Sequence, residues 1–288
     1  MKPLLRLLIA TLPLSLACAN GTSPALAGLE EARQAEEERE AFDHGHTAWT
    51  RILAEHLHGE DFDYGALQRE RAAFDAYTLR LALVTPKELA TFSEQQRYAF
   101  WLNAYNAFTV QKVIDNYPLE SIRDLDKLFG AVSVFDNDFI PLAAHHPEGA
   151  DDALSLNDIE HGILRPRFQD ARIHAAVNCA SASCPPLRHE AYVASRLDEQ
   201  LDEQMRAFVN DPVRNALRPE RNRIELSKIF DWYAGDFERE AHSVRAYLLR
   251  YANDERKPLI ERAKLGFGDY DWSLNDHRSE PQSESEGR

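Results

Sequence analysis

The stretch SEQQRYAFWLNAYNAFTVQKVIDNYP, residues 93–118, decides the fold that we predict for this chain. Apolar and aromatic residues lie on nearly every side of this stretch when it is drawn as a helix, which is typical of a fully buried helix. Ser93 suits the N-cap position, and Pro118 closes the segment because proline interrupts a helix. We therefore predict a central buried helix against which the other elements pack.

Helical periodicity continues on both sides of this segment. We predict further helices in HTAWTRILAEHL (46–57), ALQRERAAFDAYTLRLALV (66–84), SLNDIEHGILRP (155–166, capped by Ser155 and ended by Pro166), ASRLDEQLDEQMRAFVND (194–211), KIFDWYAGDF (228–237) and HSVRAYLLRYA (242–252). We predict buried strands in ARIHAAVN (171–178) and NRIELS (222–227), and a short hairpin in AVSVFDNDFIPL (131–142). The expected fold class is α+β, a single helix-rich domain packed around a small β-sheet.

The start of the chain is typical of a secretory signal peptide over residues 1–27. A basic start is followed by an apolar run too short to span a bilayer, and Ala25 and Ala27 form a small-residue cleavage site. We expect a periplasmic or secreted protein, with cleavage after Ala19 as the competing site. In the alternative, LSLAC is a lipobox, Cys18 carries a lipid anchor and the protein is a membrane-anchored lipoprotein.

The remaining chain divides into three parts. Residues 28–41 are charged and rich in helix formers, so we expect an exposed helical arm. Residues 42–276 show no repeat and no Gly/Ser linker, and we predict one globular domain there. Residues 277–288 are polar and acidic, and we predict a disordered tail.

The composition limits the classes of partner and cofactor. A net charge of −15 argues against nucleic-acid binding, because few cations would be available to neutralise phosphates. The sequence contains no HExxH, no paired cysteine motif, no GxSxG and no glycine-rich phosphate loop, so we predict neither a metal nor a cofactor. No stretch after the first 27 residues is apolar and long enough to cross a membrane. The expected partner is an unidentified small molecule or peptide.

Polar residues inside apolar sequence mark three places for further attention, since burying them unpaired costs free energy. Asn103 and Asn106 share one face of the central helix, because residues three apart are neighbours on a helix. They either satisfy buried backbone groups or orient a substrate. Glu160 and His161 lie between isoleucines; they are either ion-paired core groups or part of a site.

The third place is HAAVNCASASCPPLR, residues 174–188. If this chain is extended, His174 and Cys179 are about 16 Å apart, so His174 is a poor base for that thiol. A base would then come from elsewhere, and His161 is our candidate. Small residues after Cys179, among them Ser181, would let backbone N–H groups approach an anion.

Three roles for Cys179 and Cys184 stay open from the sequence. They could form a disulfide, which persists in an oxidising compartment although so small a loop gains little chain entropy. Cys184 could instead resolve a reducible Cys179. Finally, Cys179 could be a free nucleophile.

Several long motifs make the chain similar to the family known as domain of unknown function 547. They are FWLNAYNAFTV, YPLESIRDL, LSLNDIEHGILRP, RIHAAVNCASASCPPL, LSKIFDWYAGDF and YDWSLN, which span about Trp49 to Asn275. The resemblance implies one domain but no settled activity. The positions that it marks are Asn103, Asn106, Glu160, His161, Cys179, Trp232, Asp236, Asp271 and Asn275. YDWSLN would be a final strand that staples the fold.

Two functions follow from these observations. In the first, the chain is an exported binding or accessory domain whose Cys179–Cys184 disulfide stiffens a loop, with Trp101, Trp232 and Trp272 in the core. In the alternative, it is a cysteine-dependent hydrolase or acyltransferase with Cys179 as nucleophile, His161 as base, Glu160 or Asn103 as orienting group and the loop amides as oxyanion hole. The candidate binding residues are Asn103, Asn106, His174 and Ser181.

Overall fold

The central helix forms as the sequence predicts. The computed structural model describes residues 41–127, 131–142 and 153–278, and this helix runs Glu94–Ile114. Ser93 caps it with a capping box, in which the Ser93 hydroxyl accepts from the Gln96 N–H and the Gln96 side chain accepts from the Ser93 N–H. Every residue from Tyr98 to Val110 is buried, so the helix has no solvent-facing side over most of its length.

Short helices surround the central one. In chain order the helices of the described residues are α1 Thr47–His56, α2 Tyr64–Arg69, α3 Ala72–Ala82, α4 Pro86–Thr91, α5 Glu94–Ile114, α6 Arg165–Phe168, α7 Ile173–Ala176, α8 Leu197–Asn210, α9 Ile229–Trp232, α10 Ala234–Ala241, α11 Val244–Tyr251 and α12 Lys257–Arg262. A π-helix, Asp158–Leu164, runs directly into α6. Single 3-10 turns occur at Ile122–Leu125, Val134–Asp136, Ala194–Arg196 and Pro219–Arg221.

The strands form two small sheets. β1 (Leu57–His58) and β2 (Asp61–Phe62) make an antiparallel hairpin. β3 (Ala216–Arg218) pairs antiparallel with β4 (Arg223–Leu226), which pairs in parallel with β5 (Lys264–Phe267). The predicted α+β class is confirmed. Among the described residues, no helix is both long enough and apolar enough to cross a membrane.

Two hydrophobic cores meet at the short helix α7. The larger core surrounds α5, and the smaller one lies between α8, α10, α11 and β4. Within α7, Ile173 and Ala176 belong to the larger core, whereas Ala175 belongs to the smaller one. The fourth residue of this helix, His174, is therefore fixed from both sides.

Several local predictions are wrong. Residues 171–178 do not form a strand, because Ile173–Ala176 is a helical turn. Residues 131–142 do not form a hairpin; they contain a 3-10 turn and isolated bridges to Lys127 and Leu154. Pro166 does not end the helix in 155–166, since it occupies the first turn of α6, where the missing N–H costs nothing.

Two long predicted helices are each divided. Residues 66–84 lie in α2 and α3, and residues 228–237 lie in α9 and α10. The signal peptide, all of the charged arm except Ala41 and all of the acidic tail except His277 and Arg278 lie outside the described residues, so those predictions stay predictions.

Candidate active site

The loop that carries Cys179 is shaped by the side chain of Asn178. The Asn178 Oδ1 accepts from the Ala180 N–H at 2.8 Å, and its Nδ2 donates to the Pro185 carbonyl at 2.8 Å. Ala180 has a φ of 62°, a left-handed conformation that costs a non-glycine residue about 1 kcal/mol or more. The loop thus holds the residue after Cys179 in a strained, buried conformation.

A distant segment, residues 270–276, clamps this loop. Ser181 and Leu274 form an antiparallel bridge, and the Ala182 N–H donates to the Ser273 carbonyl at 2.8 Å. The motif YDWSLN therefore holds the cysteine loop through isolated bridges and not as a full strand. The same segment places Tyr270 beside the cysteine.

The sulfur of Cys179 is surrounded by hydrogen-bond donors. Its Sγ lies 3.2 Å from the Ser181 Oγ and 3.2 Å from the Tyr270 hydroxyl. Hydrogen bonds from Cys184, and then from Ser181 and Tyr270, lower the pKa of Cys179 to about 7, against the opposing effect of burial. Much of this thiol is therefore ionised at neutral pH.

The second cysteine is a buried thiol. The Cys184 Sγ accepts from the Cys179 N–H at 3.0 Å, and it lies 3.7 Å from the Val177 carbonyl oxygen. Burial, followed by the hydrogen bond to Cys179, raises the pKa of Cys184 well above its ordinary value. Both cysteines are free, so the structure does not contain the predicted disulfide.

His174 is buried and held by a carboxylate. Its Nε2 lies 2.8 Å from the Asp236 Oδ2, and its ring stacks on Tyr233 with centroids 3.8 Å apart. The same carboxylate also accepts from Arg165 at 2.7 Å and Arg239 at 3.0 Å. The hydrogen bond from His174, and then that from Arg165, keep the pKa of Asp236 far below its usual range.

The arrangement around His174 decides its tautomer. Burial lowers the pKa of His174, so the imidazole is neutral near pH 7. Because the Asp236 carboxylate can only accept, the proton sits on Nε2. The Nδ1 lone pair is then free, and this buried atom has no hydrogen-bond partner among the described residues. A neutral imidazole with one nitrogen fixed and the other available can accept a proton at the second nitrogen.

Glu160 comes from the π-helix. Its carboxylate is buried, and its Oε1 lies 3.8 Å from the His174 Nδ1 and 3.9 Å from the His161 Nδ1. The hydroxyl of Tyr233 faces the same carboxylate, whose charge, after burial, raises the Tyr233 pKa. Glu160 thus contributes a negative charge to the interior.

One cavity of about 240 Å³ brings these groups together. Cys179, Cys184, His174, Glu160 and Asn157 line it with Val177 and Ile229, and the rest of its wall is aromatic: Tyr105, Phe135, Trp232, Tyr233, Tyr270 and Trp272. The expected separation of His174 and Cys179 assumed an extended chain. That assumption is wrong, because His174 lies in the helix α7. Both residues face the same space.

Three other candidate residues, His161, Asn103 and Asn106, do not line the cavity. The imidazole of His161 is 39% exposed, and its Nδ1 lies 3.3 Å from Arg165. Asn103 exchanges two hydrogen bonds with the backbone of Tyr192, at 2.7 and 3.0 Å. Asn106 donates to the Ala176 carbonyl at 3.0 Å and accepts from the Asn178 N–H at 2.8 Å. These two amides support backbone, and Asn106 anchors the start of the cysteine loop.

The predicted oxyanion hole in the loop amides does not form. The N–H groups of residues 179, 180, 182, 183 and 184 already donate to protein acceptors, and the Ser181 N–H lowers the pKa of the Cys179 thiol by donating to it. A side-chain donor next to the sulfur is the Tyr270 hydroxyl, which in the resting site is hydrogen-bonded to Cys179.

Of the three tryptophans predicted to lie in the core, only Trp101 is fully buried. Trp101 is 1% exposed, as predicted, but Trp232 is 48% exposed at the cavity and Trp272 is only half-buried. Trp232 packs on Tyr270 with centroids 4.9 Å apart, and Tyr270 packs on Trp272 at 4.6 Å. An exposed tryptophan at a cavity is a contact available to a ligand.

Sequence reasoning missed Tyr270 and Tyr233 as members of the site, and it marked Asp236 only as a motif position of the family, with no role. Asp236 lies in the polar segment AGDFEREA, so its burial is not evident from the pattern. Tyr270 gives no signal either, because nothing in the sequence brings residue 270 to residue 179. Among the described residues, no group of three or more potential ligands for a metal ion is present.

A comparison with family models matches residues 89–209 to the family described as Protein of unknown function, DUF547. The resemblance found in the sequence is thereby confirmed for the segment that holds α5, Glu160, His174 and Cys179. The motifs that carry Asp236 and Tyr270 lie after the matched residues. No match was found among curated proteins or among solved structures.

Proposed function

We propose that this member of the DUF547 family is a thiol-dependent hydrolase or acyltransferase in which Cys179 is the nucleophile. The observation that carries the proposal is a thiol with a pKa of about 7 in the same cavity as a buried, neutral imidazole fixed by a carboxylate. Catalytic cysteines need a lowered pKa and a nearby proton acceptor. The structural disulfide that favoured a pure binding domain is absent from the structure.

The reaction would use the Cys179 sulfur and the His174 Nδ1 in turn. The sulfur forms a C–S bond to the substrate carbonyl carbon, the carbonyl electron pair moves to oxygen, and the thiol proton passes to Nδ1. As the oxyanion collapses, the bond to the amine or alcohol breaks and His174 returns that proton to the leaving group. Water or another acceptor then repeats the steps in reverse, which releases the acyl group and restores the thiol.

Tyr270 would stabilise the oxyanion. In the resting site its hydroxyl donates to the Cys179 sulfur at 3.2 Å. A sulfur that has become part of a thioester is a weak acceptor, so the O–H is free to donate to a neighbouring oxygen. Burial, and then the charge of Cys179, raise the Tyr270 pKa well above its ordinary value, so the hydroxyl keeps its proton for this purpose.

An activated ester such as p-nitrophenyl acetate tests the proposal directly. We expect intact-mass spectrometry to detect one acetyl group on Cys179, formed with a burst of nitrophenol and then lost to water. Cys179→Ser should abolish the adduct, and the matched variant Cys184→Ser should retain it. His174→Asn should leave the adduct detectable but slow its loss, because the base for attack by water is gone.

An adduct that forms equally well in Cys179→Ser would contradict the assignment of the nucleophile. Absence of any adduct at Cys179 would leave the binding domain as the better interpretation of the cavity. Wild-type protein that is acetylated but not deacylated, with hydroxylamine unable to release the group, would contradict catalysis.

We also propose export from the cytoplasm, on the basis of residues 1–27 alone. The supporting features are the basic start, the short apolar run and the small residues at positions 25 and 27. The mass of the mature N-terminus distinguishes the alternatives: a chain that starts at Gly28 supports cleavage by signal peptidase, one that starts at Asn20 supports the competing site, and a lipid-modified Cys18 supports the anchor. A mature chain that retains Met1 contradicts export through this segment.

A further inference from the structure

The wall of the cavity differs from what a simple hydrolytic site requires. Six aromatic side chains line it: Tyr105, Phe135, Trp232, Tyr233, Tyr270 and Trp272. We call them the aromatic cage. Trp232, Tyr270 and Trp272 pack on one another, and Phe135 packs on Trp272. Trp232 and Trp272 are stacked with centroids 6.1 Å apart and an interplanar angle of 26°. The faces of aromatic rings carry negative electrostatic potential and attract cations.

A carboxylate lies at the same cavity without a cation of its own. Glu160 is 6% exposed and lines the cavity. A buried carboxylate is costly unless a positive group compensates it. Within the described residues, no lysine or arginine forms an ion pair with Glu160, and the ring nitrogens within 4.0 Å belong to His174 at 3.8 Å and His161 at 3.9 Å.

The neighbouring cations are committed elsewhere. Arg165 pairs with Asp236 at 2.7 Å, and Arg239 pairs with the same carboxylate at 3.0 Å. His174 is neutral because it is buried, so it does not compensate Glu160. Among the described residues, the groups that face Glu160 are therefore the Tyr233 hydroxyl and two histidines, with Arg165 acting on it only at longer range while it pairs with Asp236.

We propose that the aromatic cage and Glu160 form a binding site for an alkylammonium group of the substrate. The inference rests on the proposed function, because it identifies the class of substrate on which Cys179 would act. The cage supplies ring faces and Glu160 supplies the counter-charge, as in known sites for quaternary ammonium ions. The carbonyl group of the substrate would then lie between this cation and the sulfur.

The volume of the cavity sets the size of the group. About 240 Å³ is several times the roughly 30 Å³ of a water molecule in the liquid, but it is below the roughly 300–1,000 Å³ of pockets for drug-sized ligands. An alkylammonium side chain with one carbonyl group fits this range, whereas a folded peptide segment would remain outside.

Choline and its neutral isostere 3,3-dimethylbutanol test the proposal, because they share a shape and differ in charge. The binding measurement uses Cys179→Ser protein and follows tryptophan fluorescence or heat. Choline should bind at least about tenfold more tightly than the neutral alcohol, since shape is constant and charge alone changes. n-Butylammonium against n-butanol repeats the comparison for a primary ammonium ion.

Two substitutions test the contributions of Glu160 and of the aromatic cage separately. Glu160→Gln should weaken choline at least about tenfold and leave the alcohol unchanged, whereas the surface variant Glu199→Gln should affect neither. Trp232→Ala should also weaken choline; since this side chain is 48% exposed, the variant should fold even if Glu160→Gln does not.

Equal affinity for the cation and the alcohol would overturn the inference, as would choline binding that survives both substitutions. The acyl-enzyme experiment is independent of this result. A reactive Cys179 with no preference for cations would support the proposed chemistry and contradict the ammonium site. Cation binding with an inert Cys179 would support the binding site and contradict the proposed chemistry.

Discussion

Replacing Tyr270 with phenylalanine removes one hydroxyl that donates to the Cys179 sulfur at 3.2 Å. The ring contacts with Trp232 and Trp272 stay available, so the cavity wall keeps its shape. The substitution therefore isolates the effect of one hydrogen bond on the ionisation of the thiol.

The size of the effect follows from the energy of that bond. A hydrogen bond to a charged group contributes about 1.5–3 kcal/mol, and one pKa unit corresponds to about 1.4 kcal/mol. Tyr270→Phe should therefore raise the pKa of Cys179 from about 7 by about 1–2 units. The fraction of thiolate at pH 7 would fall from about one half to between about one tenth and one hundredth.

The assay is the rate of alkylation by iodoacetamide as a function of pH, followed by intact mass. The midpoint of the profile is the better readout, because a more basic thiolate is intrinsically more nucleophilic and partly offsets the lost fraction. At a pH well above both midpoints the rates should converge. Cys184→Ser protein serves as background, so that a single thiol is followed.

Tyr233→Phe is the matched control. It removes another hydroxyl from the same cavity, but that hydroxyl faces Glu160 and not the sulfur. An unchanged midpoint in Tyr270→Phe, or an equal shift in Tyr233→Phe, would refute the reasoning that Tyr270 activates the thiol.

Three further predictions concern the support of the site. Asn106→Ala should lower the free energy of unfolding by about 2–5 kcal/mol in urea, because it leaves two buried backbone groups without partners; a change below about 0.5 kcal/mol would show that the loop closes around them. His46 has a pKa of about 3 because it is buried. An unfolded histidine titrates near pH 6.5, so the unfolded chain binds the proton first and stability falls as the pH drops from about 6.5 toward 3. His46→Gln should remove up to about 1.4 kcal/mol of that loss per pH unit, and parallel curves for variant and wild type would contradict this. Arg214 donates to the carbonyls of Ala182 and Cys184 at 3.0 and 2.9 Å. Arg214→Lys cannot make this fork and should speed amide hydrogen exchange in the cysteine loop relative to the surface variant Arg218→Lys.

The sequence was sufficient for the parts of the fold that depend on local patterns. The buried helix in 93–118 was predictable because its apolar residues surround the axis and Ser93 gives a clear start. The helix in 194–211 and the strand in 222–227 were also predictable from local patterns. Apolar residues recur with a helical period in the first segment and alternate with polar residues in the second.

The short segment 171–178 was not predictable from its pattern. A run of small and β-branched apolar residues fits a buried strand as well as a buried helical turn, and length does not discriminate over so few residues. The structure resolves it as α7 because both cores press on it, a tertiary effect that has no local signal. Because of this one error, His174 was kept only as a candidate binding residue and His161 was chosen as the base.

The site itself was predictable only in part. Cys179 and Glu160 were found because a thiol in a small-residue loop and a carboxylate among isoleucines are unusual in sequence. The roles of Asp236 and Tyr270 depend on contacts 62 and 91 residues away along the chain, to His174 and Cys179. Contacts at that separation are set by packing and cannot be read from spacing.

The clamp formed by residues 270–276 determines when, during synthesis and folding, the site around Cys179 is completed. Cys179 is synthesised 91 residues before Tyr270, so the nascent chain carries this thiol for some time without the hydroxyl that lowers its pKa. Until the clamp docks, Cys179 should react as sluggishly as any ordinary cysteine. A protease cut just before Tyr270 would remove the same hydroxyl from the finished molecule, together with the packing of Leu274 and Tyr270 on the two cores. The activation of Cys179 thus depends on a segment that is synthesised well after the thiol itself.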